Sequence, residues 1–491
     1  MSNLSELLPT GGGQNAVDFV ASGTLSSGQT IALKTDGTVE AISETSVPDS
    51  VGSVNTITGT SYSQTGPEAL IYDPDTQQVI YAYQGNSTYG TVVTGVVSGT
   101  TITFGSPVVF NSAGTFRITA AYDIDQDKVV VAYRNGGNSN YGTAIVGTVS
   151  GTSISFGTAL NFQSAAVDFI TMVYNSSVQR IVVAYMAPAD NQGTIRTLQV
   201  SGTSISQIGG VGYAFSTDAK NGQLVYDPVV GKAVIFYVDG STGYSRAITT
   251  NASSAPTLGN IQTWASGLQN GEFGGIFATY DSTNQKIIAG YIASTGGYGY
   301  IRSGTLSGTT MTYDNNNTQA TSVAINKHAR LAYDSSAQRS VLFYSNGASS
   351  NRGEAISIGL TGTTFDLNSV VTVTTNEVEW PAITYDPTTN KIILVGDNYV
   401  ASPYSFFQSW VFTTSYLASN STDFIGITAE AISSAATGPV NVYGGINAVQ
   451  TGLTIASDYY VQTDGSLSTT VSTVKAGQAI SATTINLMDL T

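Results

Sequence analysis

Cysteine is absent from this 491-residue chain, and histidine occurs once, at position 328. The first absence excludes disulfide frameworks, thiolate metal sites and thiol nucleophiles, and leaves the redox compartment open. The second forces any Ser-His-Asp relay through His328. Charge is scarce as well: Asp, Glu, Lys and Arg make up 10% of the residues, against about 25% in an ordinary soluble domain. Disorder driven by charge is therefore excluded. Seventeen basic against 32 acidic residues leave a formal charge of -15 with no basic run, so the main attraction for a phosphate backbone is missing and nucleic acid is not an expected partner. No stretch approaches the roughly 18 apolar residues that span a bilayer. Met1 to Thr10 has neither a basic segment nor an apolar core, so neither membrane insertion nor a signal peptide is expected. Present in quantity are 53 Gly, 28 Tyr and 41% hydrophobic residues. These suffice for a large core, with rings left for an exterior of Ser, Thr, Gly and Asn.

An internal repeat organises the chain. An apolar strand ends in Tyr and a turn, and a β-branched strand ends in a second Tyr, as in Ile71-Tyr72-Asp73-Pro74 followed by Val79 to Tyr83. The first Tyr recurs at 72, 122, 174, 226, 280, 333 and 385, with spacings of 50, 52, 52, 54, 53 and 52. Each unit continues through a Gly/Asn/Ser loop, a third strand such as Gly142 to Val146, a turn such as Ser150-Gly151-Thr152, and a last strand such as Ile154 to Phe156. Four short strands at a period near fifty, punctuated by Asp-Pro and Ser-Gly turns, predict an all-β chain built on a seven-bladed β-propeller over residues 47–417. The seventh unit departs after Trp410 to Thr414, and Gly52 to Ile57 resembles the fourth-strand sequence Gly105 to Phe110. The early strand is expected to complete the last blade and remove exposed edges.

Outside the repeats lie residues 1–46 and 418–491. Thr30 to Val39 lines up with Asp458 to Leu467, each reading as a hairpin around an Asp-Gly turn. The two segments are expected to pack together as a small β-domain into which the propeller is inserted; Leu4 to Leu8 could supply one helical turn. The run Leu8 to Asn15 followed by Phe19 to Gly23 resembles the opening of structural proteins from tailed bacteriophages. The C-terminal segment is similar to a small module of phage tail and virion-surface proteins at Phe424 to Ile427, Ala435 to Gly438, Gly452 to Thr454, Tyr459 to Val461 and Lys475 to Ala479. The resemblance covers about 110 residues and lies in Gly, aromatic and turn positions. It implies a virion-surface protein assembled in the host cytoplasm, a homotrimer whose end segments dock on other virion proteins and whose propeller faces outward. Tail fibre and capsid decoration remain open, and a bacterial surface adhesin is the alternative.

Candidate chemistry is thin. His328, in Asn326 to Arg330, stands at the entrance to an inner strand, where a structural role is the simpler reading. Asp123, Asp125 and Asp127 alternate as in a calcium loop, but the Gly and downstream Glu are missing and turn chemistry explains them. No other metal site and no cofactor is expected. A polysaccharide depolymerase would need two converging carboxylates; Glu68, Glu272, Glu377 and Glu379 lie on connections entering inner strands. The stronger signal is the loop after each second strand, where Tyr89, Tyr141, Tyr244, Tyr298 and Tyr404 sit among Ser, Gly and Asn. Rigid amphipathic rings with short polar neighbours suit adaptable recognition. The expected function is non-enzymatic binding of a host-surface glycan or protein, with packing of these rings against neighbouring strands as the competing reading.

Overall fold

A computed structural model describes residues 15–57, 69–189, 191–269, 275–401 and 404–488, with the side chains of all but 210–211, 327, 398–401 and 404–406. The helical turn expected at Leu4 to Leu8 lies outside these. The regular structure of the described residues is antiparallel strand, with three short 3-10 turns at Asn86–Thr88, Gly136–Asn138 and Ser421–Asp423. Among them, no helix is long and apolar enough to cross a membrane. The chain divides into two compact units, one from the chain's two ends, up to Pro48 and from Tyr416 on, the other Asp49–Ser415.

In the larger unit the sequence repeat is a four-stranded antiparallel meander. First strands include Ala69–Asp73, Asp168–Asn175, Lys220–Asp227, Ile276–Asp281 and Ala382–Asp386, and the inner halves of Val108–Asp123 and Thr318–Asp334 serve the second and sixth repeats. Second strands such as Lys128–Asn135 are apolar on both faces, because each sheet is covered on both sides. The covering comes from neighbouring repeats: each apolar core joins consecutive repeats, as in Val130, Phe162 and Met172 with Tyr185. The last repeat meets the first through Tyr81, Tyr83, Val395 and Phe407. Ser50–Val51 and Asn55–Thr56 pair with Tyr404–Thr413, so residues preceding the first repeat supply the outer strand of the last.

Two local devices set this packing. The residue after each repeat Tyr is a buried Asp or Asn, at 73, 123, 175, 227, 281, 334 and 386. Its side-chain oxygen accepts the backbone N–H two residues on and, for the six Asp, also that three residues on, closing the turn into the second strand. Several of the Tyr hydroxyls reach the turn of the preceding repeat: Tyr72 meets Thr388 at 2.6 Å, Tyr333 donates to Thr283 at 2.7 Å, and Tyr174 donates to Asp125, whereas Tyr385 donates to Asn390 of its own turn at 3.0 Å. At the outer edge, a Gly breaks the fourth strand where the backbone of the next repeat's turn approaches. A Cβ on Gly105, Gly157 or Gly259 would overlap the carbonyl oxygen of Thr152, Thr203 or Thr309, respectively.

The end unit holds two five-stranded sheets. One runs in the order Ala16–Val20, Thr437–Val442, Phe424–Thr428, Thr30–Leu33, Val39–Ala41; the other in the order Ile446–Asn447, Ile485–Leu487, Val474–Ala479, Asp458–Val461, Leu467–Ser468. The matching Asp-Gly sequences form the same turn. Gly37 and Gly465 both lie at φ 83°, and Lys34 and Gln462 both receive the Gly N–H at 3.0 Å. The Asp36 and Asp464 carboxylates accept the N–H two residues on at 2.9 and 2.8 Å. Hydrogen bonds from Thr38 and Ser466 hold both carboxyls below the usual range. Most of the exposed large apolar side chains belong to this unit, Ile455 and Val471 among them.

The glycine approach is open to test. Gly157→Ala should lower stability by about 1–3 kcal/mol through overpacking against backbone. Gly23→Ala, with open space around the added carbon, should leave the melting temperature unchanged; equal melting of both variants would rule the contact out.

Candidate functional site

The first strands of all the repeats line one channel, a cavity of about 220 Å³. Its mouth is set by the residue five positions before each repeat Tyr: Arg117, Phe169, Asn221, Gly275, His328 and Trp380 among the described residues. The first strands of four repeats bulge near this point. Arg117, Phe169 and Asn221 adopt left-handed backbone, with φ of 52°, 46° and 49°. For a phenylalanine that conformation is strongly disfavoured, and such outliers concentrate where a side chain must be aimed. The bulge turns these side chains toward the channel instead of into a sheet face.

The mouth is a chain of side-chain contacts. Arg117 pairs with Asp168 and lies 5.1 Å from the Phe169 ring centroid. Asp168 also meets Arg134 at 3.7 Å. On the other side, the rings of His328 and Trp380 are 4.0 Å apart. His328 Nδ1 lies 2.9 Å from the Glu379 carbonyl oxygen, which makes Nδ1 the protonated nitrogen. Beneath them Asp397 is fully buried, its Oδ1 accepting the backbone N–H groups of Glu379 at 2.6 Å and Trp380 at 3.0 Å. Burial pushes its carboxyl up to about 6, against the opposing pull of the two N–H donors. Deeper on the same strand, Arg330 also lines the channel.

The loops after the second strands stand at the mouth end of each repeat, since Thr115 pairs with Asn135, which in turn pairs with Tyr141. The structure separates the five tyrosines singled out from sequence. Tyr89, Tyr141 and Tyr298 occupy one equivalent position, each opening its third strand and each followed by a Gly. Gly90 and Gly142 receive the Phe110 and Phe162 rings of the fourth strand, leaving no room for a Cβ. Tyr89 is 36% exposed, and Tyr141 and Tyr298 are half-buried. Tyr244 is not equivalent: it follows Gly243 and packs on Tyr237 at 5.7 Å within the core between the third and fourth repeats. Like Tyr141 and Tyr298 it is half-buried. Tyr404 opens the strand Tyr404–Thr413, and its side chain lies outside the described ones. The dipeptide order Tyr-Gly, against Gly-Tyr at 243–244, would have separated the two cases.

Among the described residues, the carboxylates singled out from sequence are engaged separately. Asp123 is engaged in its turn, Asp125 receives Tyr174 and Gln179, and Asp127 sits at a left-handed turn position with φ 51°. No cluster of three His, Asp or Glu suited to a metal occurs among the described residues. Glu68 and Glu272 lie outside the described residues. Glu377 receives Asn351 at 2.6 Å, and Glu379 contributes its backbone to the mouth. Sequence reasoning passed over Glu354, which is buried and bound by Tyr344, Asn346 and Arg352. It also passed over the Arg117–Asp168 pair, Asp397 and Arg330. A motif of spacing could not have found them, because each is a single-copy departure from the repeat.

Asp397 makes the mouth pH-sensitive. With a folded value near 6 and an unfolded one near 4, the native state holds the extra proton between these values. Stability therefore falls as pH rises from about 4 to 6, and is level above. Asp397→Asn keeps the Oδ1 acceptor and removes the charge. It should flatten that window and melt above the parent at about pH 7; identical pH curves for the two proteins would remove Asp397 as the cause.

No family model matches the chain, and no curated protein matches it. Solved structures do at low identity. AofleA from Arthrobotrys oligospora is 10% identical with a TM-score of 0.45, the match covering 70% of this chain and 92% of that one. The periplasmic gluconolactonase PpgL of Pseudomonas aeruginosa is 10% identical with a TM-score of 0.48, covering 74% and 97%. The SapL1 lectin in complex with alpha methyl fucoside is 11% identical with a TM-score of 0.39, covering 63% and 97%. Likenesses at this level carry no argument about what this chain does.

Proposed function

We propose that Asp49–Ser415 is a closed seven-bladed β-propeller acting as a non-enzymatic recognition domain, and that its mouth face binds a host-surface glycan or protein. The observation that carries this reading is the recurrence of Tyr89, Tyr141 and Tyr298 at one strand position, beside Asn- and Ser-rich loops at the same end of their sheets. A ring fixed by the strand start offers contact area at little entropic cost, and the loop amides supply hydrogen bonds. Catalysis by paired carboxylates is disfavoured because Asp168, Glu354 and Glu377 are each engaged by protein donors. The end unit, by the resemblance of its sequence to virion-surface modules and by its exposed Ile455, Val471 and Ile480, is the docking and association element of a homotrimeric virion-surface protein. Three copies would turn weak single contacts into avid attachment.

The purified full chain is assayed for retention on intact bacterial cells and on their extracted polysaccharides, with released reducing ends measured in parallel. Tyr141→Ala with Tyr298→Ala should weaken retention at least about tenfold, equivalent to about 1.4 kcal/mol. Glu377→Gln should leave it unchanged. Reducing ends released by the parent and lost in Glu377→Gln would replace recognition with depolymerisation. Retention indifferent to the Tyr changes would reduce the face to scaffolding. Light scattering of the full chain should return three times the 50.9 kDa chain mass; a monomer would remove the avidity argument.

A further inference from the structure

Among the described residues, one charge in the channel, Arg330, has no carboxylate against it. Arg330 stands two residues inside His328 on the same strand, ~7 Å deeper at about 3.3 Å per residue. The equivalent positions of the other repeats carry Ala69, Thr119, Thr171, Gln223, Phe277 and Ala382, all uncharged. The Arg330 guanidinium donates to the carbonyl of Ala329 at 2.9 Å, and among the described residues no carboxylate pairs with it. Arg117, Arg339 and Arg352 each pair with a carboxylate, and Arg180, Arg196, Arg246 and Arg302 each donate at least two hydrogen bonds to protein oxygens. No Asp or Glu lines the channel at all among the described residues, in a chain with 32 of them. Burial lowers the Arg330 pKa to about 10, which leaves it a cation at neutral pH. Arg330 is half-buried, and a cation held inside the channel without a carboxylate is a place for an anion.

We propose that this channel is an anion site, in which the Arg330 guanidinium binds the carboxylate of a small organic acid, either free or borne by an acidic sugar at the end of a glycan. The guanidinium fork matches two carboxylate oxygens at once. Thr119 and Gln223, on the same level of the wall, offer further donors. Ala69, Met172 and Ala278 form apolar wall beside them, against which the carbons of such an acid would pack. The cavity of about 220 Å³ holds about seven water volumes at ~30 Å³ each, room for a carboxylate with a few carbons. Entry passes Phe169 and Trp380 at the mouth. The site stands apart from the loop-face reading, because the channel wall includes none of Tyr89, Tyr141 or Tyr298.

The test uses the full chain in a carboxylate-free buffer, titrated separately with sodium acetate and sodium glucuronate, with glucose and sodium chloride as controls. Melting temperature and binding heat are recorded together. At least one acid should give saturable heat and a saturable rise in melting temperature, and glucose none. Arg330→Gln should abolish both responses. Gln223→Glu, which places a carboxylate in the channel while keeping the arginine, should abolish them too, and decides the matter if Arg330→Gln does not fold. Response to acetate identifies free small acids as ligands, and response to glucuronate alone identifies the acidic sugar. The proposal is overturned by silence from both acids, by a response that survives either folded variant, or by a chloride response equal to that of the acids.

Discussion

The larger unit depends on one repeated interaction, the buried Asp or Asn that follows each repeat tyrosine and is satisfied by its own turn. A carboxylate removed from water is expensive unless several donors meet it, and here the chain supplies them two and three residues downstream. Asn175 serves at the same place with a neutral side chain and holds Ser177 N at 3.1 Å and Ser177 Oγ at 2.7 Å. The geometry of the acceptor is thus the requirement, and the charge is incidental. The adjacent Tyr extends the device sideways, since its hydroxyl seeks a partner in the preceding turn while its ring packs between sheets. A feature that closes one hairpin therefore also spaces it from its neighbour, and the cores between consecutive repeats inherit that spacing.

From this follows the chain's tolerance of so few charges. Each sheet is covered on both faces, so its second strand is written in Val, Ile, Ala and Tyr, as in Lys128–Asn135 and Arg180–Ala187. The outer edge is where polar backbone comes closest between repeats, and there glycine replaces any side chain. Surface ion pairs contribute little at such edges.

Much of this was legible in the amino-acid sequence because turn chemistry is local. The Tyr-Asp period marks the inner turn, Ser-Gly-Thr the outer one, and the two Asp-Gly hairpins match each other in sequence alone. The site was less legible. Tyr244 looked like Tyr141 when only composition was read, and differs because Gly243 precedes it instead of following it. The left-handed backbone at Arg117, Phe169 and Asn221 has no sequence signature, for nothing in those residue types announces a positive φ. Asp397 owes its character to burial and to backbone donors 18 and 17 residues away, and Arg330 to the first strands of the other repeats around the channel. Spacing along the chain says nothing of such enclosure.

Both units are completed by strands from opposite ends of the sequence. Ser50–Val51 waits for Phe412 and Thr413, and Ala16–Val20 for residues 437–441. During synthesis, the earliest residues therefore emerge without their partners and stay unpaired until nearly the whole chain has left the ribosome. Contacts of such sequence separation form slowly, and an open strand edge in a sparsely charged chain is a template for association. Until these joints close, the nascent chain is the stage most exposed to aggregation, and the late strands Phe424–Thr428 and Thr437–Val442 become the step on which soluble yield turns.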